Sequence, residues 1–286
     1  IMTHVLIPDV VEVQDRPVFY VQSGNRDSQN VVLVLHGFMS DYRSMQGVAE
    51  QLSVPEDSTI VLPDLPGFGS SQPFRPDGAS LEHYIDWIDS FLAAAAPSAR
   101  NVTIIGYSFG SYIAVSYAAR RPAKLKSLIL ITPVIRVATP VRLFSSIFDN
   151  LADFSVAAAH ALYKWRPNFD LTSLYLTRSL LPEKVLKLLR HRREELNDLR
   201  PEVVLELTRE LLKCDLLALA PEIRVPVFVL AAKHDTVAVN SATEKFIAAL
   251  AGHGSLHYLP KSGHLVPFEE PELINERLDS HYWPHL

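Results

Sequence analysis

The stretch Gly106-Tyr107-Ser108-Phe109-Gly110 is the most informative part of this chain, because it stands between a predicted strand and a predicted helix. The preceding run, Val102-Thr103-Ile104-Ile105, is rich in β-branched residues and predicts a buried strand. The following residues, 110–120, place side chains at helical spacing. A serine on so abrupt a turn must adopt a strained backbone, and only small flanking residues let strand and helix approach each other. The pattern therefore predicts a serine hydroxyl lifted out of a sheet.

Size and composition indicate a globular protein with a well-filled core. The 286 residues can form one large α/β domain or a core domain that carries an insertion, and the hydrophobic fraction of 48% is ordinary. The net charge of −5, without a basic stripe, argues against nucleic acid as the main partner. The single cysteine, Cys214, excludes an internal disulfide and fits a reducing compartment.

The sequence contains no signal for a membrane or for secretion. No apolar run reaches the roughly 20 residues that a helix needs to cross a bilayer. The first residues, Ile1 to His4, lack the basic and then apolar pattern of a secretion signal. We therefore expect a cytoplasmic protein without a membrane span.

The first half of the chain alternates strand-like and helix-like segments. Strands are predicted at residues 18–21, 31–35, 59–62, 102–105 and 127–131, and helices at 42–52, 81–96 and 110–120. Continuous apolar strands in a βαβα order predict a mostly parallel, doubly wound α/β sheet with both faces covered. The alternation resumes after Pro221, with strands at 227–230 and 255–259, a helix at 241–250 and a last helix from Pro271.

Between these two parts the chain reads as helical. Helices are predicted at residues 140–151, 156–163, 173–180, 183–197 and 201–219. A helical block inserted between two strands of one sheet is typical of a lid over the edge where the strands end. The predicted organisation is a core of residues 1–133 and 222–286 with an inserted helical cap of residues 134–221.

Two further residues complete a candidate catalytic set with Ser108. A serine hydroxyl is a poor nucleophile near neutral pH unless a base takes its proton, normally a histidine oriented by a carboxylate. Asp235 follows the strand that ends at Leu230, and His264 follows the strand that ends at Leu259. Neighbouring strand ends bring catalytic groups together in open α/β sheets. Asp235 is the best acid, because the stretch after the preceding strand, 132–135, has no carboxylate.

With these motifs the chain resembles proteins of the α/β-hydrolase fold over almost its whole length apart from the cap. The matching pieces are Leu35-His36-Gly37-Phe38, Asp64-Leu65-Pro66-Gly67-Phe68-Gly69, the Ser108 pentapeptide, Asp235-Thr236-Val237 and Ser262-Gly263-His264. The resemblance implies that the backbone N–H groups of Phe38 and Phe109 form an oxyanion hole. It also implies that His36 and Gly37 support the loop that carries the first of these donors. No metal or organic cofactor is implied.

Some residues have a structural interpretation that we prefer to a functional one. The run Arg190-His191-Arg192-Arg193-Glu194-Glu195 suggests an anion site, but acids at helical spacing favour a solvated, self-paired helix face. We expect Asp64 to brace the turn at Pro66-Gly67. Aromatic side chains are concentrated in and around the cap, and we expect most to pack and some to line an apolar pocket. These are Phe144, Phe148, Phe154, Tyr163, Trp165, Phe169 and Tyr175.

The leading hypothesis is a serine hydrolase that cleaves a carboxylic ester, thioester or lactone of a small, largely apolar substrate. Carboxylate-nucleophile enzymes of the fold are excluded, because position 108 is serine. Prolyl aminopeptidases are similar around Ser108, but their glycine-rich oxyanion loop is not matched by His36-Gly37-Phe38-Met39. The first alternative is a C–C bond hydrolase, similar to those that act on ring-cleavage diketones, or a lyase similar to that of menaquinone biosynthesis. These lyases usually have an arginine shortly after the second glycine of the serine motif, where this chain has Ser111 and Tyr112. The second alternative is a small-molecule binding protein without turnover.

Overall fold

A computed structural model describes residues 3–74, 79–177, 182–213 and 215–283, without the side chains of Phe148, Phe154, Phe169, Pro182 and Lys184. Cys214 lies outside these residues. The strands are β1 (Ile7–Val13), β2 (Arg16–Ser23), β3 (Asn30–Leu35), β4 (Ser58–Pro63), β5 (Asn101–Tyr107), β6 (Leu125–Ile131), β7 (Val227–Ala232) and β8 (Gly254–Leu259). The helices are α1 (Arg43–Ala49), α2 (Leu81–Ala95), α3 (Phe109–Ala119), α4 (Thr139–Phe154), α5 (Val156–Lys164), α6 (Arg166–Leu176), α7 (Pro182–Asp198), α8 (Pro201–Lys213), α9 (Asn240–Ala249), α10 (Val266–Glu269) and α11 (Pro271–His281). A 3₁₀ helix spans Leu216–Glu222.

The eight strands form one sheet in the order β1-β2-β4-β3-β5-β6-β7-β8. The strands from β4 to β8 along this order pair in parallel, as the continuous apolar runs predict, whereas β1 and β2 are antiparallel. The prediction missed β1. This edge strand exposes apolar side chains such as Val10 and is joined to β2 by Gln14 and Asp15, both with positive φ, as in a two-residue hairpin turn.

Apolar side chains on alternate positions of each central strand cover the two faces of the sheet. In β3, Val31, Leu33 and Leu35 pack in the core that lies against α2, α3 and α9. Val32 and Val34 pack on the opposite face, against α1 and α11. Because both faces are buried, the strands are apolar at every position rather than at every second one. The doubly wound architecture of the prediction is confirmed.

The stretch between β6 and β7 is occupied by α4 to α8 and the 3₁₀ helix. This helical stretch connects two neighbouring strands of the sheet, because β6 pairs directly with β7. Two boundaries differ from the prediction. The helix expected at 173–180 is α6, which begins at Arg166 because Pro167 suits the first turn of a helix, and residues 178–180 lie outside the described part. The helix expected at 201–219 is α8 followed by the 3₁₀ helix, where Asp215 accepts a hydrogen bond from the Leu217 N–H.

The carboxyl ends of the parallel strands converge at one edge of the sheet. Loops that follow Leu35, Pro63, Tyr107, Ala232 and Leu259 meet there, and the helices α4 to α7 lie over the same edge. Such an edge is where ligands bind in open α/β sheets. Within the described residues, no helix has both the length and the apolar character that crossing a bilayer requires.

Candidate active site

Ser108 occupies a sharp turn between β5 and α3. Its backbone has φ +51° and ψ −108°, a conformation that side-chain-bearing residues rarely adopt. The flanking glycines allow the turn, because a Cβ on Gly110 would lie 2.3 Å from the carbonyl oxygen of Leu35. A Cβ on Gly106 would lie 2.6 Å from the carbonyl oxygen of Gly110. The strained, tightly packed turn that the sequence predicts is therefore present.

His264 stands between Ser108 and Asp235. Its Nε2 lies 2.9 Å from Ser108 Oγ, and its Nδ1 lies 2.9 Å and 3.0 Å from the two carboxylate oxygens of Asp235. These contacts assign the proton of a neutral ring to Nδ1, which donates to the carboxylate and leaves Nε2 to accept from the serine hydroxyl. Ser108 is 7% exposed and His264 is 5% exposed, so bulk water has little access to the contact. The three side chains form a relay along which a proton can leave the hydroxyl.

Backbone groups hold both partners of the serine in place. The Asp235 carboxylate accepts hydrogen bonds from the N–H groups of Val237 at 2.7 Å and Ala238 at 2.9 Å. The carbonyl oxygen of His264 accepts a hydrogen bond from the Tyr107 hydroxyl at 3.1 Å. The bond to the His264 carbonyl oxygen thus fixes the backbone that carries the imidazole, and the Asp235 carboxylate fixes the orientation of the ring.

A cavity of about 480 Å³ opens above Ser108 and His264. Its walls are mostly apolar and come from the loop after β3, from α4 to α7 and from α10. Phe144, Tyr163 and Tyr175 line it, as expected of part of the cap aromatics. Trp165 is instead 56% exposed, and the side chains of Phe148, Phe154 and Phe169 lie outside the described part.

A family model described as "Serine aminopeptidase, S33" matches residues 26–271. The chain belongs to this family. It is an α/β hydrolase, and the fold class predicted from the Ser108 motif is confirmed.

Named relatives of the hydrolase include lipases and esterases. It is 38% identical to the biotin biosynthesis bifunctional protein BioHC of Teredinibacter turnerae, over 36% of this chain but only 17% of that protein. It is 23% identical to the monoacylglycerol lipase ABHD6 of Bos taurus, over 90% of this chain and 77% of that one. An esterase of Exiguobacterium antarcticum has a similar structure, with a TM-score of 0.78 and 18% identity over 96% of this chain and 99% of that one. This last likeness concerns the fold alone.

His36 connects two loops of the hydrolase at the sheet edge. Its Nδ1 contacts the carbonyl oxygen of Gly37 at 2.8 Å, and its Nε2 accepts from the Leu65 N–H at 2.9 Å. Complete burial lowers the pKa of His36, so the neutral ring that satisfies both contacts is favoured. Because the Gly37 carbonyl and the Phe38 N–H belong to one planar trans peptide, the bond at Nδ1 also sets the direction of that N–H.

Phe38 and Phe109 lie next to each other beside Ser108. Their rings meet edge to face with centroids 5.8 Å apart. Neither backbone N–H donates a hydrogen bond within the described part of the chain. Gly37 lies close enough to the serine that a Cβ there would be 3.6 Å from Ser108 Cβ and 2.8 Å from the Tyr107 ring. The N–H group of Phe38, on the loop after β3, and that of Phe109, at the start of α3, thus stand beside Ser108 without an acceptor among the described residues.

The run of charges on α7 corrects the prediction of a solvated helix face. Arg192 and Glu195 are 8% and 4% exposed, pair with each other and line the cavity together with His191. Burial by itself would raise the pKa of Glu195, but the Arg192 guanidinium, His191 and Ser40 together lower it to about 2. The predicted self-pairing is present, but the pair is inside the protein. Helical spacing shows which residues can pair but not which face of the helix meets the core.

Asp64 bonds within its own loop and to a second one. Its carboxylate accepts hydrogen bonds from the N–H group of Ser70, across the turn at Pro66-Gly67, and from that of Tyr42, both at 2.8 Å. Burial, together with the nearby Asp41, raises the pKa of Asp64 to about 7. The side chain thus ties the loop after β3 to the loop after β4.

Ser40, Arg192 and Glu195 are site residues that no sequence motif predicts. The spacing of Arg192 and Glu195, three positions apart, indicates that they can pair, but the same spacing is common on exposed helices. In the part of the chain that the structure describes, no group of three or more His, Cys, Asp or Glu side chains is arranged to hold a metal ion.

Proposed function

We propose that this α/β hydrolase is a serine esterase that uses Ser108, His264 and Asp235 as a catalytic triad. The observation that carries the proposal is the position of His264, within 3.0 Å of both the serine hydroxyl and the carboxylate. The proposed substrate is a carboxylic ester, thioester or lactone of a small, largely apolar acid. The named esterase and lipase relatives support the same reaction class.

In the first half of the proposed reaction, Ser108 Oγ attacks the carbonyl carbon while Nε2 of His264 takes the hydroxyl proton. Asp235 stabilises the imidazolium that forms and keeps its proton on Nδ1. The carbonyl oxygen becomes an oxyanion that accepts hydrogen bonds from the N–H groups of Phe38 and Phe109. Collapse of this intermediate expels the alcohol or thiol, which takes the proton from Nε2, and leaves an acyl group on Ser108.

In the second half, water replaces the leaving group. His264 removes a proton from the water, whose oxygen attacks the acyl carbon, and the same two N–H groups stabilise the second oxyanion. The serine then leaves with the proton from Nε2, which restores the resting state and releases a carboxylic acid. One donor of this kind is worth roughly 10²–10³ in turnover.

The cavity supports a substrate that is mainly apolar. It is large enough for a drug-sized ligand, and most of its wall surface is apolar, while the Arg192–Glu195 pair, His191 and several hydroxyl and amide side chains also line it. Among the wall residues, Leu171, Leu176 and Leu188 come from the helices between β6 and β7. We therefore propose that these helices act as a cap that selects the acyl or alcohol part of the substrate.

Replacement of Ser108 by alanine tests the proposal. We expect Ser108→Ala to lower kcat/KM for p-nitrophenyl esters by roughly 10⁴–10⁶-fold, because the nucleophile is lost. A fluorophosphonate probe should label the unaltered protein at Ser108 and fail to label the variant. The matched control is Ser280→Ala, on the exposed face of α11, which should keep full activity and labelling.

Three outcomes would contradict the proposal. Ester turnover that survives Ser108→Ala would reject Ser108 as nucleophile. No ester turnover by the unaltered protein, together with consumption of a β-diketone, would favour C–C bond cleavage. Cleavage of aminoacyl p-nitroanilides in preference to esters would favour a peptidase.

A further inference from the structure

Helix α7 is bound to the loop that follows β3 through buried hydrogen bonds. Nη1 of Arg192 donates to the carbonyl oxygen of Met39 at 2.9 Å, and the Ser40 hydroxyl donates to Oε1 of Glu195 at 2.6 Å. Arg192 and Glu195 also form an ion pair with each other. On the outer side of the same helix, Arg43 pairs with Glu194 at 3.0 Å. Hydrogen bonds and ion pairs therefore attach the loop to a helix that lies about 150 positions further along the chain.

Met39 and Ser40, which α7 contacts, come directly after Phe38, and the backbone of Met39 is strained. Met39 has φ +54°, in the left-handed region that residues with a side chain rarely adopt. Such a conformation persists only where the surrounding structure holds it. His36 holds the Gly37–Phe38 peptide from one side, and α7 holds Met39 and Ser40 from the other. The Phe38 N–H lies between these two restraints.

Stability alone does not account for a buried ion pair at this place. Removing two charges from water costs much of what their attraction returns, and apolar replacements of buried pairs are often neutral or stabilising. The pair lies instead where it can fix a loop whose geometry matters to within a fraction of an ångström. Hydrogen-bond donors that stabilise an oxyanion are effective only when they are already in position.

We infer that Arg192 and Glu195 are positioning residues for the oxyanion loop, holding Met39 and Ser40 so that the Phe38 N–H faces the reacting carbonyl oxygen. This inference rests on the proposed esterase function and assigns to the helical segment a part in catalysis besides substrate selection. Displacement of α7 would withdraw one of the two oxyanion donors.

The test replaces both charges together, so that neither is left buried and unpaired. The double variant Arg192→Met/Glu195→Met should keep a melting temperature close to that of the unaltered protein. Its kcat on short p-nitrophenyl esters should fall by roughly 10–10³-fold with little change in KM, since one oxyanion donor is misplaced. Arg193→Met is the matched control, because Arg193 is the next residue on α7 and pairs with Asp170 on α6. It should keep full kcat.

A second measurement separates loop positioning from direct contact with substrate. A trifluoromethyl ketone forms a tetrahedral oxyanion with the serine, so its affinity for the double variant should fall in parallel with kcat. The loss should be the same for acetyl and octanoyl esters. Unchanged kcat and ketone affinity in the folded double variant would overturn the inference, and so would a rise in KM that grows with acyl length at constant kcat.

Two further comparisons keep the result interpretable. If the double variant does not fold, Ser40→Ala removes only the hydrogen bond to Glu195 and should still lower kcat several-fold at constant KM, whereas unchanged kcat would reject the inference. If the unaltered protein cleaves no ester, the proposed function fails. If it does cleave esters and Ser108→Ala is inactive, an active double variant rejects the positioning role alone.

Discussion

At the scale of single residues, the site depends on backbone conformations that its side chains do not favour. Ser108 and Met39 both have positive φ, one at the nucleophile position and the other directly after Phe38. Strain of this kind persists because neighbouring groups hold it, here the tightly packed glycines around Ser108 and the hydrogen bond to Met39. His36 is also constrained by its surroundings, because its two ring nitrogens make one contact as a donor and one as an acceptor, which requires the neutral ring.

Protonation of His36 should destabilise the folded protein. Burial lowers its pKa in the folded state, so the unfolded chain takes up the proton first, from about pH 6.5 downward. The contribution of His36 to the free energy of unfolding should therefore fall as the pH drops below 6.5, by at most about 1.4 kcal/mol per pH unit. Urea denaturation at several pH values between 7.5 and 5.5 measures the slope.

His36→Gln provides the comparison for that slope. Glutamine keeps a donor and an acceptor but does not titrate, so the variant should lose stability less steeply as the pH falls. In both proteins His257, whose pKa burial also lowers, adds a slope of the same sign, and Asp64, whose raised pKa of about 7 lies in the same range, adds one of the opposite sign, so the difference between the two slopes reports His36. Equal slopes for the two proteins would contradict the prediction.

At the scale of elements, helix ends connect the helical segment to the sheet layers. The N–H groups of Ala79 and Leu81, at the start of α2, donate to Glu206 and Glu210 of α8. Ser80 is the N-cap of α2 and accepts a hydrogen bond from the His83 N–H at 3.3 Å. The acceptors of the Leu81 and His83 N–H groups satisfy donors that a helix start leaves without an intrahelical partner, and the bond from Ala79 holds the residue just before the N-cap.

Removal of the α2 cap should have a moderate effect on stability. Ser80→Ala should lower the free energy of unfolding by about 0.5–1 kcal/mol, because the His83 N–H loses its side-chain acceptor and keeps only the carbonyl oxygen of residue 80. Ser80→Asp keeps an acceptor oxygen and should retain most of the stability. Urea denaturation of the three proteins checks this, and an aspartate variant as unstable as the alanine variant would refute it.

At the scale of the whole molecule, the segment that the sequence predicts as a separate cap shares part of its core with the sheet. Val203 and Leu207 of α8, and Leu216 and Ala220 of the 3₁₀ helix, belong to the apolar cluster that also contains β3 and α3 side chains. Ala152, Ala159 and Tyr163 belong to a smaller cluster above the cavity. The division at residues 134 and 221 stays a prediction about sequence organisation.

The shared core predicts that the two parts unfold together. Leu207→Ala should lower the free energy of unfolding by about 2–5 kcal/mol, because Leu207 is fully buried. Far-ultraviolet circular dichroism and tryptophan fluorescence should shift together in one transition. The control Leu186→Ala, at a 64% exposed position of α7, should change stability by less than about 0.5 kcal/mol. Two separate transitions, with only one moved by Leu207→Ala, would show that the parts are independent.

Local sequence patterns are sufficient to predict the parallel sheet and the places of Ser108, Asp235 and His264 along it. Apolar runs, turn residues and strand order are local properties, and parallel strands necessarily bring their carboxyl ends to one edge. The inward orientation of Arg192 and Glu195 toward Met39 and Ser40, and the addition of β1 to the sheet, are visible only in the folded protein. These features depend on how a helix is rotated and where an edge strand docks, which are set by contacts between residues far apart in the chain.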